Sequence, residues 1–74
     1  MEEEVQMIPV NSSNVASIGF DAGAEEIHVR FISGGTYVYS EASLDLWEAF
    51  QGAGSKGSFV QRILKAQCPA RRIG

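Results

Sequence analysis

The side chains best suited to binding chemistry are cations near the end of the sequence. Lysine and arginine are the groups with which proteins contact phosphates. All nine acidic residues, with one basic residue, Arg30, lie in residues 1–54, which carry a charge of −8. Residues 55–74 carry +5, and the two segments give the net charge of −3. This asymmetry predicts an anion-binding surface at one end of the molecule. The five cations of the basic segment are Lys56, Arg62, Lys65, Arg71 and Arg72.

Internal pairing is the alternative explanation of this charge pattern. A net charge of −3 would by itself argue against a nucleic-acid partner. The basic segment could instead pair with the acidic half of the same chain, because surface ion pairs are common and each contributes little. The sequence leaves both explanations open.

Tyr37 and Tyr39 are the second candidates, because aromatic rings stack on unpaired bases. Both lie in a predicted β-hairpin over residues 26–40, which turns at a Ser-Gly-Gly segment. A two-residue loop would place both rings beside Arg30, as an aromatic and basic platform on an open sheet face. A three-residue loop with a bulge would turn them towards the core, on the face of Val29. Both registers stay open.

The glycine-rich loop over residues 52–58 contains the pattern G-x-G-x-x-G. It follows a predicted helix rather than a strand, which excludes a dinucleotide-binding site. It is not a phosphate-binding P-loop either, because Lys56 precedes glycine. The loop opens a helix, so its free amides, with Lys56, Ser55 and Ser58, could hold one phosphate. The alternative is a flexible connection between helices.

No set of catalytic or metal-binding residues can be assembled from this sequence. His28 and Cys68 are the only residues of their types, so a zinc site within one chain has too few ligands. Nothing in the sequence orients them as a base and a nucleophile. We therefore predict that the protein is not an enzyme and needs no metal or small-molecule cofactor.

The lone Cys68 fits a reducing compartment, and no apolar run approaches the roughly 20 residues of a membrane span. The first residues of the sequence are acidic, whereas a signal peptide begins with a basic region. These features predict a cytoplasmic protein without membrane contact.

The elements that position these side chains are short. A strand over residues 15–20 and the hairpin over residues 26–40 predict a three-stranded antiparallel meander. Because proline is found in sheets mainly on edge strands, Pro9 predicts that residues 5–10 form an edge strand or an extended arm. We predict a flexible acidic lead over residues 1–6 and a single domain over residues 7–74.

Two helices follow the sheet in the sequence. The first begins after the N-cap residue Ser43 and ends near Gly52. The second begins at Ser58, which forms a capping box with Gln61, and it ends before Pro69. The predicted fold class is α+β, a three-stranded antiparallel β-meander followed by two short α-helices packed on the sheet.

Several short motifs occur in a characteristic order along the chain. They are Val10-x-Ser12-Ser13, Ile18-Gly19-Phe20-Asp21, Ile27-x-Val29-x-Phe31, Gly34, Tyr37-x-Tyr39 and Ser55-Lys56-Gly57-x-Phe59. Taken together they resemble the KTSC domain, a family named for a C-terminal extension of some lysyl-tRNA synthetases that also occurs as small bacterial proteins. The resemblance covers roughly residues 7–72, and its synthetase context implies RNA as a partner. Gln67-Cys68 departs from the pattern, because an aromatic residue is expected there.

Charge, aromatic residues and resemblance together predict a small non-enzymatic binding module whose partner is RNA, with tRNA as one candidate. The alternative function is a protein-interaction or self-associating module, which would pair through an exposed edge strand near residues 8–10. The residues predicted to contact phosphates or bases are Arg30, Tyr37, Tyr39, Lys56, Arg62, Lys65, Arg71 and Arg72.

Overall fold

The sheet is an antiparallel meander of five strands, in the order β1-β2-β3-β4-β5, in a computed structural model that describes residues 5–74. The α+β class is confirmed, but the prediction of three strands is wrong. The predicted acidic lead falls mostly on residues 1–4, which lie outside the described residues. The strands are Ile8–Pro9 (β1), Val15–Asp21 (β2), Glu26–Phe31 (β3), Thr36–Tyr39 (β4) and Ala70–Arg72 (β5).

The two additional strands form the edges of the sheet. β1 pairs with β2 over only two residues, since Pro9 has no N–H to extend the ladder. β5 pairs with β4, with Arg72 opposite Tyr37. The Ser40 N–H donates to the Pro69 carbonyl at 2.8 Å, which brings the chain back to the sheet after the second helix. The basic tail predicted from the sequence is therefore mostly a strand.

The β3–β4 hairpin has the three-residue loop. The Phe31 N–H donates to the Gly35 carbonyl at 2.8 Å, and Gly34 has a φ of 113° that favours glycine. Val29 consequently lies opposite Tyr37, and both tyrosines share its face. The alternative register, with both tyrosines beside Arg30 on an open face, is wrong.

The first helix, α1, spans Leu44–Gly52 and begins as predicted. The Ser43 hydroxyl accepts the Leu46 N–H at 3.1 Å, which satisfies one free donor of the first turn. Its buried face carries Trp47 and Phe50. The Trp47 ring stacks on Phe20 of β2 with centroids 5.5 Å apart, so this helix packs on the sheet through aromatic contacts.

The second helix, α2, covers residues 56–67 and changes its type along its length. It is α-helical over Lys56–Phe59, π-helical over Val60–Leu64 and α-helical again over Lys65–Gln67. Its N-cap is Ser55, whose hydroxyl accepts the Ser58 N–H at 3.2 Å. The predicted capping box at Ser58 is therefore wrong. Neither helix is long enough to cross a membrane, and this holds throughout the described part of the chain.

The core lies between the helices and one face of the sheet. Cys68 belongs to this core. Its burial raises the pKa of the thiol, which keeps the thiol protonated and unreactive at neutral pH. The largest fully buried side chains of this core are Val15, Ile18, Ile27, Val29, Phe50, Val60 and Leu64.

The other face of the sheet is crossed by the N-terminal arm, residues 5–7. A Cβ atom at Gly19 would lie 2.7 Å from Cγ1 of Val5 and 2.8 Å from Sδ of Met7. Glycine is needed here because the arm passes directly over its backbone. Val38 belongs to this face and is fully buried, although it lies outside the main core.

We expect Gly19→Ala to lower the free energy of unfolding by about 1–3 kcal/mol, the usual cost of overpacking. Urea unfolding followed by Trp47 fluorescence measures this change. Gly52→Ala is the matched control, because nothing lies within 4 Å of its Cβ position. It should leave the stability unchanged or raise it by less than about 1 kcal/mol. Equal stability of the two variants would contradict the close packing of the arm.

Candidate functional site

A groove of about 410 Å³ lies between α2 and the sheet, where it follows β4 and touches the end of β3 and the start of β5. Three aromatic side chains, two amides and one ammonium group line it, and no acidic side chain of the described residues does. This composition suits an apolar ligand that also carries negative charge. These aromatic, amide and ammonium side chains belong to Phe31, Tyr37, Tyr39, Asn14, Gln61 and Lys65.

The three aromatic residues form the sheet side of this groove. Phe31 and Tyr37 are half-buried and meet edge to face, with centroids 5.7 Å apart and an interplanar angle of 80°. Tyr39 is buried, and its burial raises the pKa of its hydroxyl, so the hydroxyl stays protonated at neutral pH. Neither tyrosine hydroxyl makes a hydrogen bond within residues 5–74, which leaves both available to a ligand.

Two cations stand beside the aromatic residues. Lys65 lines the groove from α2, is exposed, and forms no ion pair within the described part of the chain. Arg72 lies opposite Tyr37 in the register of β4 and β5, so its side chain is on the same face. Gly35 lies against the side chains of Tyr37 and Arg72. A Cβ atom added to it would be 3.2 Å from Cε1 of Tyr37 and 3.7 Å from Cζ of Arg72. Arg72 also donates from Nε to the Gly74 carbonyl at 2.8 Å, which fixes its side chain.

The Ser-Lys-Gly segment at residues 55–57 joins the two helices to the sheet. Nζ of Lys56 donates to the carbonyls of Ala53 at 2.6 Å and Gln51 at 3.1 Å, at the C-terminal end of α1. Cations are favourable there because the last carbonyls of a helix are unpaired and negative. A Cβ at Gly57 would lie 3.4 Å from Cβ of Asn14, so this segment packs next to the β1–β2 loop.

The sequence and the fold of this chain match those of a known protein family. A model of the KTSC domain matches residues 11–67, which is most of the chain. The chain belongs to the KTSC domain family. A protein of Tsukamurella paurometabola is 36% identical to this KTSC domain over 59 residues, which is 80% of this chain and 88% of that one. The crystal structure of a KTSC domain protein from Yersinia pestis matches with a TM-score of 0.90 and 34% identity, over 96% of this chain and all of that one.

Besides Arg72, which bonds to the Gly74 carbonyl, two more of the predicted phosphate contacts have partners within this KTSC domain. Lys56 holds the end of α1, and Arg71 pairs with Glu26 of β3 through two bonds, at 3.0 and 3.2 Å. Hydrogen bonding to Arg71 holds the pKa of Glu26 below its ordinary value. Pairing with the acidic half of the chain therefore occurs for Arg71, whereas Lys56 bonds to backbone carbonyls. Contact of either cation with phosphate stays a prediction.

The remaining two cations are exposed but lie outside the groove lining. Arg62 is exposed on the π-helical turn of α2, three residues before Lys65. Arg30 lies opposite Thr36, so strand alternation turns its side chain to the face away from Tyr37. Three of the eight predicted residues therefore line the groove, Tyr37, Tyr39 and Lys65, and Arg72 lies beside it. The other four lie elsewhere: Lys56, Arg62, Arg71 and Arg30.

Sequence reasoning misses Asn14 and Gln61, whose amides line the groove. The sequence carries no signal for either, because a turn asparagine and an exposed helix glutamine are ordinary. They come to the groove only through the tertiary packing of α2 and the β1–β2 loop on the sheet. Within residues 5–74, no three His, Cys, Asp or Glu side chains come together as a metal site.

We expect Lys56→Met to lower the free energy of unfolding by about 1–2 kcal/mol, because charged hydrogen bonds to the last carbonyls of α1 are lost. Thermal unfolding measures the change. Lys65→Met is the matched control, since this lysine makes no such bond in the described residues, and it should alter stability by less than about 0.5 kcal/mol. If the two variants are equally stable, the role of Lys56 at the helix end is refuted.

The Glu26–Arg71 pair should make stability depend on pH. The pKa of Glu26 is lower in the folded state than its ordinary value of 4.5, so the pair stabilises the fold above that pH. The contribution is lost as the pH falls through the folded-state pKa, and it is small because 54% of the Arg71 side chain is exposed.

The test is urea unfolding of Glu26→Gln at about pH 7 and about pH 2. The variant should be less stable than the parent only at the higher pH. Glu48→Gln, an exposed change on α1 without an ion pair among the described residues, is the control and should show no such difference. A Glu26→Gln effect of the same size at both pH values would argue against the ion pair.

Proposed function

We propose that this KTSC domain is a small non-enzymatic module that binds single-stranded RNA. The observation that carries the proposal is the position of Lys65 and Arg72, which flank an aromatic groove that no described carboxylate lines. Proteins that bind single-stranded RNA combine these two kinds of group, cations for phosphates and aromatic rings for bases.

The distribution of charge along the sheet supports this choice of ligand. The acidic residues of the β2–β3 turn, Asp21, Glu25 and Glu26, lie at the opposite end of β3 from Phe31. The groove reaches from Phe31, at the end of the sheet away from this acidic turn, to Tyr39, whose partner Ile27 is next to Glu26. A polyanion would approach the Phe31 end with less repulsion than the net charge of −3 suggests. Arg62 would add a third phosphate contact beside Lys65.

Self-association is the second candidate, and the two sheet edges favour it. The edges carry exposed isoleucines, Ile8 in β1 and Ile73 directly after β5, which are 44% and 54% exposed. Edge strands offer unpaired backbone groups to another chain, although β1 is short and contains Pro9. Sedimentation velocity over a range of concentrations separates this function from RNA binding by a monomer.

The RNA proposal predicts affinity that falls steeply with salt. With two or three phosphates contacted, the slope of log K against log salt should be about −1.4 to −2.1. Fluorescence anisotropy with a labelled ten-nucleotide single strand measures it. Lys65→Met and Arg72→Met should each weaken binding and reduce the slope by about 0.7.

Arg30→Met provides the matched control for that experiment. It removes an exposed cation from the opposite sheet face, so affinity and slope should stay as in the parent. A flat salt response, or a loss with Arg30→Met as large as that with Lys65→Met, would rule out an RNA-binding surface at the groove.

A further inference from the structure

We infer that the groove is a receptor for one unstacked base of the single-stranded RNA, a base that lies against Tyr37 with its flanking phosphates at Lys65 and Arg72. This inference rests on the proposed function and goes beyond it, because cations alone would bind RNA through the backbone without reading any base.

The sheet side of the groove offers aromatic surface to a base. Phe31 and Tyr37 are only half-buried, although they extend the same face as the fully buried Val29. Part of each of these two rings is left uncovered by the other side chains of the described residues. Every base has an aromatic face of its own, so stacking on such rings is favourable for any nucleotide.

The groove also contains polar groups without a partner. The side-chain amides of Asn14 and Gln61 make no hydrogen bond within residues 5–74, and they line the groove from two different elements. A side-chain amide both donates and accepts, which matches the mixed donors and acceptors on the edge of a base. An apolar ligand without such an edge would leave these amides unsatisfied in the bound state.

The two cations favour a nucleotide within a chain over a free nucleotide. Lys65 comes from α2 and Arg72 from β5, so they approach the groove from opposite walls. A nucleotide within RNA has one phosphate on each side, which suits two separated cations. A free nucleoside monophosphate has a single phosphate and would use one of them. The volume of about 410 Å³ is at the lower end of the range for small-molecule sites, which limits the groove to about one nucleotide.

The experiment compares five pentaribonucleotides that differ only at the central position, which carries adenine, cytosine, guanine, uracil or no base. Anisotropy titrations at low salt give the five affinities, and repeating them at higher salt concentrations gives their salt dependence. We expect the abasic strand to bind about tenfold more weakly than the best of the four, within the usual range for one stacked base. Its salt dependence should match that of the intact strands, because the phosphates are the same.

Two variants locate the effect in the groove. Tyr37→Leu should weaken the intact strand about tenfold and leave the abasic strand unchanged. Gln61→Leu should reduce the differences among the four bases, whereas Gln67→Leu, an exposed change at the end of α2, should preserve them. Amide chemical shifts of each variant show whether it is folded, and the abasic comparison on the parent protein needs no variant.

Three results would overturn the inference. An abasic strand that binds as tightly as the best intact strand, with the same salt slope, removes the base receptor and leaves the RNA-binding function standing. A nucleoside monophosphate that binds as tightly as the pentaribonucleotide shows that the ligand is a free nucleotide. The absence of binding by every strand at low salt refutes the receptor and the proposed function together.

Discussion

The left-handed turn at Gly34 is the constraint on which the groove depends. A φ of 113° at this position closes a three-residue loop, and the loop sets which residues of β3 and β4 face each other. A shift of one residue would move Tyr37 and Tyr39 to the opposite face of the sheet. The groove would then lose two of its three aromatic residues, and Arg72 would lose its place beside one of them. One backbone dihedral angle thus decides whether the rings line the groove or stand in solvent.

The cations of the basic segment have two different roles, and composition does not separate them. Lys56 and Arg71 form hydrogen bonds within the fold, one at the end of a helix and one across the sheet to Glu26. Lys65 and Arg72 lie beside the groove; Arg72 is already held by the Gly74 carbonyl, and a bound anion would offset the entropy cost of ordering Lys65. The family motif at residues 55–57 belongs to the first group. Its serine, lysine and glycine connect structural elements, so the motif marks the fold more than a binding site.

The sequence predicts those parts of the fold that local chemistry determines. The hairpin over residues 26–40 and the helix start at Ser43 follow from alternation, turn residues and capping. The loop length does not, because a Ser-Gly-Gly turn fits either register. Ala70–Arg72 has no apolar alternation, and it becomes a strand because the edge of β4 has free hydrogen-bonding groups. The π-helical turn over Val60–Leu64 has no residue signature. The groove depends on these three unpredicted features, so Gln61 could not be assigned to it.

The position of β5 in the chain also affects the order of folding. Its partner strand lies about 35 residues earlier, and a loop of this length costs conformational entropy before any contact repays it. The hairpin and α1 involve contacts that are closer in sequence, so we expect them to form first. Until β5 docks, β4 is an open edge that can pair with another chain, and aromatic side chains beside it are less protected. The final strand therefore acts as a cover against aggregation as well as a wall of the groove.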